Sequence, residues 1–163
     1  MFLLNGLLVT GKGECRLSTA YDAKGTIHIP FYQSKTIKTE KEAVHSAKPK
    51  INSLPFDLSW TRYRGLNTQN LYAYWAKGDS MSPAICDNDA LVINTADSIP
   101  FDGYIYLIEF GNALIVKRIQ NQGKHLLLIS DNEKYPPLKI EKNSDHAEFN
   151  IVGRVVYIVK DLQ

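Results

Sequence analysis

Residues 104–120 read YIYLIEFGNALIVKRIQ, and this stretch decides the fold. Two apolar runs, Tyr104–Phe110 and Ala113–Gln120, are rich in the β-branched and aromatic residues that favour strands. Gly111 and Asn112 between them are a two-residue hairpin signal, because glycine readily adopts the positive φ that a type I′ or II′ turn requires. The stretch therefore predicts an antiparallel β-hairpin.

Similar runs flank this hairpin on both sides and are separated from it by turn-forming residues. They are Leu71–Trp75, Ala90–Asn94, Leu126–Ser130 and Ile151–Lys160. Together with the hairpin they make six predicted strands. We expect residues 71–163 to form a compact, mainly β domain of antiparallel strands, with about ninety residues and thus near the usual domain size.

The preceding segment, 26–70, is predicted to hold a strand, a polar loop and a short helix. Thr26–Tyr32 alternates apolar and polar side chains, and Pro30 restricts it to a sheet edge because proline has no backbone N–H. Residues 33–50 are polar with mixed charges, which favours a solvated loop over an arm that binds nucleic acid.

A short helix is predicted from its capping residues. Asp57 has the side chain of an N-cap, and the helix would run through Trp60 and Tyr63. Gly65 tolerates the left-handed backbone that often ends a helix. Residues 1–25 contain several glycines among short apolar pieces and are predicted to be a connector.

Composition limits the classes of function. The 163 residues, 44% of them hydrophobic, suffice for one core, and a net charge of +2 excludes a protein that coats nucleic acid. Cys15 and Cys86 lie far apart and outside any metal-ligand spacing, so we predict no disulfide, metal or cofactor and a reducing cytoplasm. No run approaches the roughly 20 apolar residues of a membrane span, so no membrane partner is expected.

One turn has the residues of a nucleophile site. Gly78, Asp79, Ser80 and Met81 follow a predicted strand, and Gly78 permits an unusual backbone from which Ser80 could project its hydroxyl. The backbone N–H groups that follow could face a developing oxyanion. An ordinary surface turn in which Asp79 caps the backbone has the same local sequence.

A lysine in a later strand provides a possible base. Strand alternation places Lys117 on the same face as Ile115 and Ile119, and burial among apolar groups lowers the pKa of an amine. A neutral lysine can remove a proton from a serine hydroxyl. The alternative is a lysine near the end of an edge strand that extends its amine to water.

In their order and spacing these motifs resemble the LexA-like and phage-repressor C-terminal peptidase domains, a family that includes the polymerase-accessory proteins of SOS mutagenesis. The resemblance covers residues 72–159. The matching segments are Gly78–Met81, Ile85–Val92, Phe101–Ile105, Val116–Ile119, Ser130–Pro137 and Ile151–Val156.

The resemblance implies a compact LexA-like β fold with Ser80 as nucleophile, Lys117 as general base, and Gly78, Asp79 and Met81 around the oxyanion turn. It also implies self-cleavage of the protein's own linker at an Ala-Gly or Cys-Gly bond, stimulated by a recombinase filament. Neither dipeptide occurs here, and Lys24-Gly25 is the nearest substitute. We therefore expect a retained dyad with doubtful self-cleavage, and release by an antirepressor protein instead.

Family repressors begin with a helix-turn-helix domain, which is not apparent before residue 25, so residues 1–25 are interpreted as its connector or remnant. Operator DNA would be bound through that missing domain, by a homodimer. The dimer surface is predicted on C-terminal strands such as Ile151–Val159, although a strand buried on both faces has the same sequence. The alternatives are an active autopeptidase or SOS polymerase-accessory protein that cleaves its own N-terminal arm, and a signal-peptidase-like enzyme acting in trans.

Overall fold

The structure is a computed structural model that describes residues 25–32, 52–142 and 149–160. These ranges contain one α-helix, α1 (Leu58–Tyr63), one 3₁₀ turn (Thr68–Asn70) and nine strands. The strands are β1 (Thr26–Pro30), β2 (Ser53–Asp57), β3 (Leu71–Trp75), β4 (Ala90–Asn94), β5 (Ile105–Phe110), β6 (Ala113–Gln122), β7 (His125–Ile129), β8 (Leu138–Glu141) and β9 (Phe149–Val159).

Seven strands form one sheet in the order β3-β4-β9-β5-β6-β7-β8, with every neighbouring pair antiparallel. The predicted mainly β, antiparallel fold is therefore confirmed. In the β5–β6 hairpin Phe110 pairs with Ala113, which leaves Gly111 and Asn112 as a two-residue loop. Gly111 has a φ of +56°. A positive φ at the first loop residue alone is the pattern of a type II′ turn.

The predicted N-terminal strand and helix are both present. β1 pairs only with β2 in a separate two-stranded sheet, as expected of a strand that contains Pro30. The Asp57 carboxylate accepts hydrogen bonds from the backbone N–H groups of Ser59, at 2.6 Å, and Trp60, at 3.1 Å. Gly65 follows the helix with a φ of +63°. Sequence capping signals thus identify the helix at both ends.

Two strands were not predicted. β2 contains Pro55, and β8 mixes Lys139 and Glu141 with apolar residues directly after two prolines. Edge strands are often short and carry charged residues and prolines, which discourage pairing with other chains. Their composition therefore resembles that of a loop. Here β1 and β7 supply the hydrogen-bonding partners.

β1, β2 and α1 pack on one face of the large sheet. Ile27 and Ile29 of β1 are fully buried in a cluster with Leu71, Ala73 and Val92. The chain then joins the sheet directly, since Phe31 forms a parallel bridge with Ala73 and the backbone N–H of Tyr32 donates to the Ala73 carbonyl at 2.8 Å. Segment 26–70 therefore shares a core with the domain that follows it.

The predicted dimer strand is mostly a core strand. β9 lies between β4 and β5, and Val152 and Gly153 are buried. A Cβ atom on Gly153 would lie 2.4 Å from the Asn94 carbonyl oxygen, so only glycine fits between these strands. Most of the other β9 residues are half-buried, and Asn150, Tyr157 and Val159 are exposed.

Candidate active site

Ser80 lies in a turn between β3 and β4 that the protein's own hydrogen bonds hold. Gly78 has a φ of +78°, and its N–H donates to the Asp87 carboxylate at 2.8 Å. Met81 is 3% exposed and packs in the core cluster that contains Ala76 and Ile85. The residue after Ser80 therefore anchors the turn to the core, which limits how far the Ser80 hydroxyl can move.

Lys117 and Ser80 meet although they are 37 positions apart: Lys117 Nζ donates to Ser80 Oγ at 2.8 Å. β6, which carries Lys117, is hydrogen-bonded to β5 on one side and β7 on the other. The alternative of an edge-strand lysine that reaches water is therefore wrong. The amine lies over the sheet and against the Ser80 turn.

The environment of Lys117 disfavours its protonated form. Burial lowers the pKa of Lys117 below its ordinary value of 10.5, because desolvation disfavours the ammonium. Among the described residues, no carboxylate forms a hydrogen bond or ion pair with this nitrogen. Its second partner is the hydroxyl of Ser130, at 2.9 Å. Ser130 directly follows β7, the strand next to β6, and this position brings its hydroxyl to the Lys117 amine. Sequence reasoning missed this residue.

The segment that begins at Ser130 also holds the Ser80 turn. The backbone N–H of Asn132 donates to the Ser80 carbonyl at 3.0 Å, and its side-chain Nδ2 donates to the Asp79 carbonyl at 3.0 Å. Tyr135 donates its hydroxyl to the Asp79 carboxylate, and this hydrogen bond holds the pKa of Asp79 below its usual value. The Asp79 side chain is thus tied to the β7–β8 loop.

The same segment is fixed to β6 by an ion pair. Asp131 binds Arg118 through both carboxylate oxygens, at 2.9 Å from Nε and 2.8 Å from Nη2. Such a bidentate pair is geometrically specific. Residues 130–135 therefore bridge the strand of Lys117 and the turn of Ser80. The only sequence signal for this bridge was the segment Ser130–Pro137 in the family resemblance.

A small cavity of about 80 Å³ opens beside the Ser80 and Lys117 side chains. Its walls are about equally polar and apolar: Ala76, Met81 and Val116 lie on the apolar side, and Lys77 and Gly78 are among the other lining residues. It adjoins both groups that chemistry at Ser80 would require.

In the part of the chain that the structure describes, no group of three or more His, Cys, Asp or Glu side chains is arranged to hold a metal ion. No helix in the same residues is long and apolar enough to span a membrane. Cys86 is an exposed free thiol. Cys15 and the Lys24 side of Lys24-Gly25 lie outside the described residues.

This fold and site define the class of protein. The family model of the Peptidase S24-like family matches residues 30–156, and the chain belongs to that family. The resemblance to LexA-like and phage-repressor peptidase domains is thereby confirmed.

Three curated relatives specify the comparison further. An uncharacterized HTH-type transcriptional regulator of Haemophilus influenzae is 34% identical over 58% of this chain and 39% of its own length. Repressor protein CI of Enterobacteria phage phi80 is 25% identical over 80% of this chain and 55% of its own. A LexA repressor of Ralstonia pickettii is 32% identical over 52% of this chain and 38% of its own. The chain spans about half the length of these relatives or less.

Proposed function

We propose that this chain is the regulatory and dimerisation part of a prophage-type transcriptional repressor, and that Ser80 and Lys117 are its serine/lysine peptidase dyad. The observation that carries the proposal is the 2.8 Å hydrogen bond between a partly buried lysine amine and a serine hydroxyl. The repressor names of the relatives support the regulatory role. Operator DNA would be bound by a further domain of the kind that the name of the Haemophilus relative indicates.

The chemistry at this dyad is an acyl transfer. Neutral Lys117 accepts the proton of the Ser80 hydroxyl while Ser80 Oγ bonds to a peptide carbonyl carbon. The carbonyl oxygen becomes an oxyanion, for which the N–H groups of the turn at Gly78–Met81 are the candidate donors. As the C–N bond breaks, the amine leaves with the proton from Lys117, and water then hydrolyses the ester on Ser80.

Ser130 orients the amine in this scheme. A neutral amine has one lone pair and two N–H groups, and a hydrogen bond donated to Ser130 Oγ leaves the lone pair free to face Ser80. We expect Ser130→Ala to slow the reaction of Ser80 with a fluorophosphonate by roughly tenfold, the effect of one lost hydrogen bond of about 1.4 kcal/mol. Mass spectrometry of the labelled chain measures the rate. Ser98→Ala, in the exposed β4–β5 loop, is the control, and an equal rate in both variants would exclude this role.

The sequence contains neither an Ala-Gly nor a Cys-Gly bond, which argues against self-cleavage. Release by an antirepressor protein is our preferred mechanism, with recombinase-stimulated cleavage as the alternative. Prolonged incubation at alkaline pH, where Lys117 is neutral, distinguishes the two. Fragments that form in the wild type but not in Ser80→Ala would favour the autopeptidase, and an intact chain that still labels at Ser80 would favour the retained dyad.

Dimerisation is the second testable part of the proposal. A repressor that matches an operator of two-fold symmetry is expected to be a dimer, and useful association lies on the ~1 μM scale. Sedimentation at tens of micromolar, well above that scale, should therefore give a species of twice the chain mass. A purely monomeric boundary at that concentration would contradict the dimer.

A further inference from the structure

Tyr135 contacts Lys117 and the residue that precedes Ser80. The centroid of its ring lies 5.7 Å from Lys117 Nζ, within the range of a cation–π interaction. Its hydroxyl donates a hydrogen bond to Asp79, the residue immediately before Ser80. The side chain is 42% exposed, so it forms the solvent side of this part of the site.

The two contacts differ in what they control. The ring attracts the protonated amine, because the face of an aromatic ring is electronegative. The hydroxyl holds the Asp79 carboxylate and, through one peptide unit, the backbone from which Ser80 projects. Asn132 adds a hydrogen bond from its Nδ2 to the Asp79 carbonyl. Loss of the ring and loss of the hydroxyl should therefore have separate effects.

We propose that Tyr135 is a positioning residue of the dyad, with its ring set against the Lys117 amine and its hydroxyl holding the Ser80 turn through Asp79. This inference rests on the proposed dyad. It adds a residue that links the protonation of Lys117 to the position of the Ser80 hydroxyl. Tyr135 belongs to the loop between β7 and β8. It therefore lies outside both β6, which carries Lys117, and the turn that carries Ser80.

Several other charged groups surround the pair and must be held constant when the contact of the ring with Lys117 is tested. They are Lys77, Asp79, Arg118, Asp131 and Lys134. Asp131 is engaged by Arg118, and Lys134 acts on Asp79. None of the Tyr135 substitutions below removes any of these charges.

The test uses the rate at which Ser80 of the full chain reacts with a fluorophosphonate, measured across pH. The midpoint of this profile reports the ionisation of the base in the free protein. Tyr135→Leu keeps apolar cover over the amine but removes the ring, so the midpoint should fall by about half a pH unit. Tyr135→Phe keeps the ring and should leave the midpoint unchanged, with a plateau rate roughly three- to tenfold lower.

Asp79→Ala tests the second contact. Asp79→Ala removes the hydrogen bond from Tyr135 and also one from Asn132 Nδ2 to the carboxylate, so its plateau should fall at least as far as that of Tyr135→Phe. The double variant should show no loss beyond that of Asp79→Ala, because the Tyr135 hydroxyl then has no partner left to hold. Tyr157→Phe is the matched control, since Tyr157 is 41% exposed and lies away from the dyad against Phe56 and Trp60. It should leave both the midpoint and the plateau unchanged.

The outcomes separate this inference from the proposed function. A wild-type chain that does not label at Ser80 would overturn the dyad and this inference together. Normal labelling with an unchanged or raised midpoint in Tyr135→Leu would overturn the ring contact alone. Additive losses in Tyr135→Phe and Asp79→Ala, or an equal loss in Tyr157→Phe, would overturn the positioning role of the hydroxyl. A structural effect of Tyr135 would lower the plateau of all variants without moving the midpoint.

Discussion

Lys117→Ala is expected to slow fluorophosphonate labelling of Ser80 by about 10²- to 10⁴-fold, the contribution of a general base. The Ser80 hydroxyl remains in place in this variant, but its 2.8 Å proton acceptor is lost. Intact-mass measurement of the labelled chain over time gives the rate. The thermal midpoint should be unchanged or higher, because burying an ammonium opposes folding.

Lys117→Arg separates a base from a positive charge. Arginine keeps the charge and hydrogen-bond donors but stays protonated, so this variant should be as slow as the alanine variant. Lys142→Ala is the control, because the Lys142 amine binds the Asn121 side chain at 2.7 Å. Its labelling rate should equal that of the wild type. A fast Lys117→Arg variant would show that the lysine only supplies charge.

The direction of the pH dependence follows from the lowered pKa of Lys117. Labelling of the wild type should rise with pH as the amine loses its proton, and it should level off below the ordinary lysine value of 10.5. Conformational stability should also rise with pH. The unfolded chain binds this proton more tightly, so the free energy of unfolding increases between the pKa of Lys117 in the folded state and its pKa in the unfolded state. A rate that still rises above the ordinary lysine pKa would assign the proton acceptor to hydroxide.

Gly153→Ala should have the largest effect on stability, a loss of about 3 kcal/mol or more through overpacking. The new Cβ would lie 2.4 Å from the Asn94 carbonyl oxygen and 2.8 Å from Thr95 Cα, and both are backbone atoms. Relief of this contact requires β4 and β9 to separate, which breaks hydrogen bonds at the centre of the sheet. Thermal or denaturant unfolding measures the loss.

Gly103→Ala is the matched control for this prediction. A Cβ there meets nothing within 4 Å, but the residue has a φ of +82°. Only backbone strain opposes the substitution, so the expected loss is smaller, about 1–2 kcal/mol. If both variants lost the same stability, the close approach of β4 and β9 would not be the cause.

The elements identified from sequence were those whose local pattern is sufficient. The β5–β6 hairpin depends on Gly111 and on β-branched runs, and α1 depends on the Asp57 cap; both signals lie within a few residues. β8 was missed because Lys139 and Glu141 resemble a loop, and its pairing depends on β7. Local pattern also could not place β9, whose position between β4 and β5 is a property of the whole sheet.

The residues of the candidate site also fall into those with a local sequence signal and those that depend on the tertiary structure. Ser80 and Lys117 were singled out because a turn glycine and a lysine among isoleucines have chemical meaning by themselves. Ser130, Asn132 and Tyr135 are ordinary residues of a polar loop until the chain brings them against the dyad. A side chain that acts through a distant partner leaves no trace in local periodicity, so these residues required the tertiary structure.

The central place of β9 has a consequence for synthesis of the protein. Ser80 emerges from the ribosome with the β3–β4 half of the sheet and Lys117 with the β5–β8 half, and β9, which joins the two halves, is translated after both. Domains fold as units, and contacts between distant parts of a chain form only once both parts are available. We therefore expect the two halves of the sheet to be joined by strand pairing through β9 only after residues 149–159 have been made.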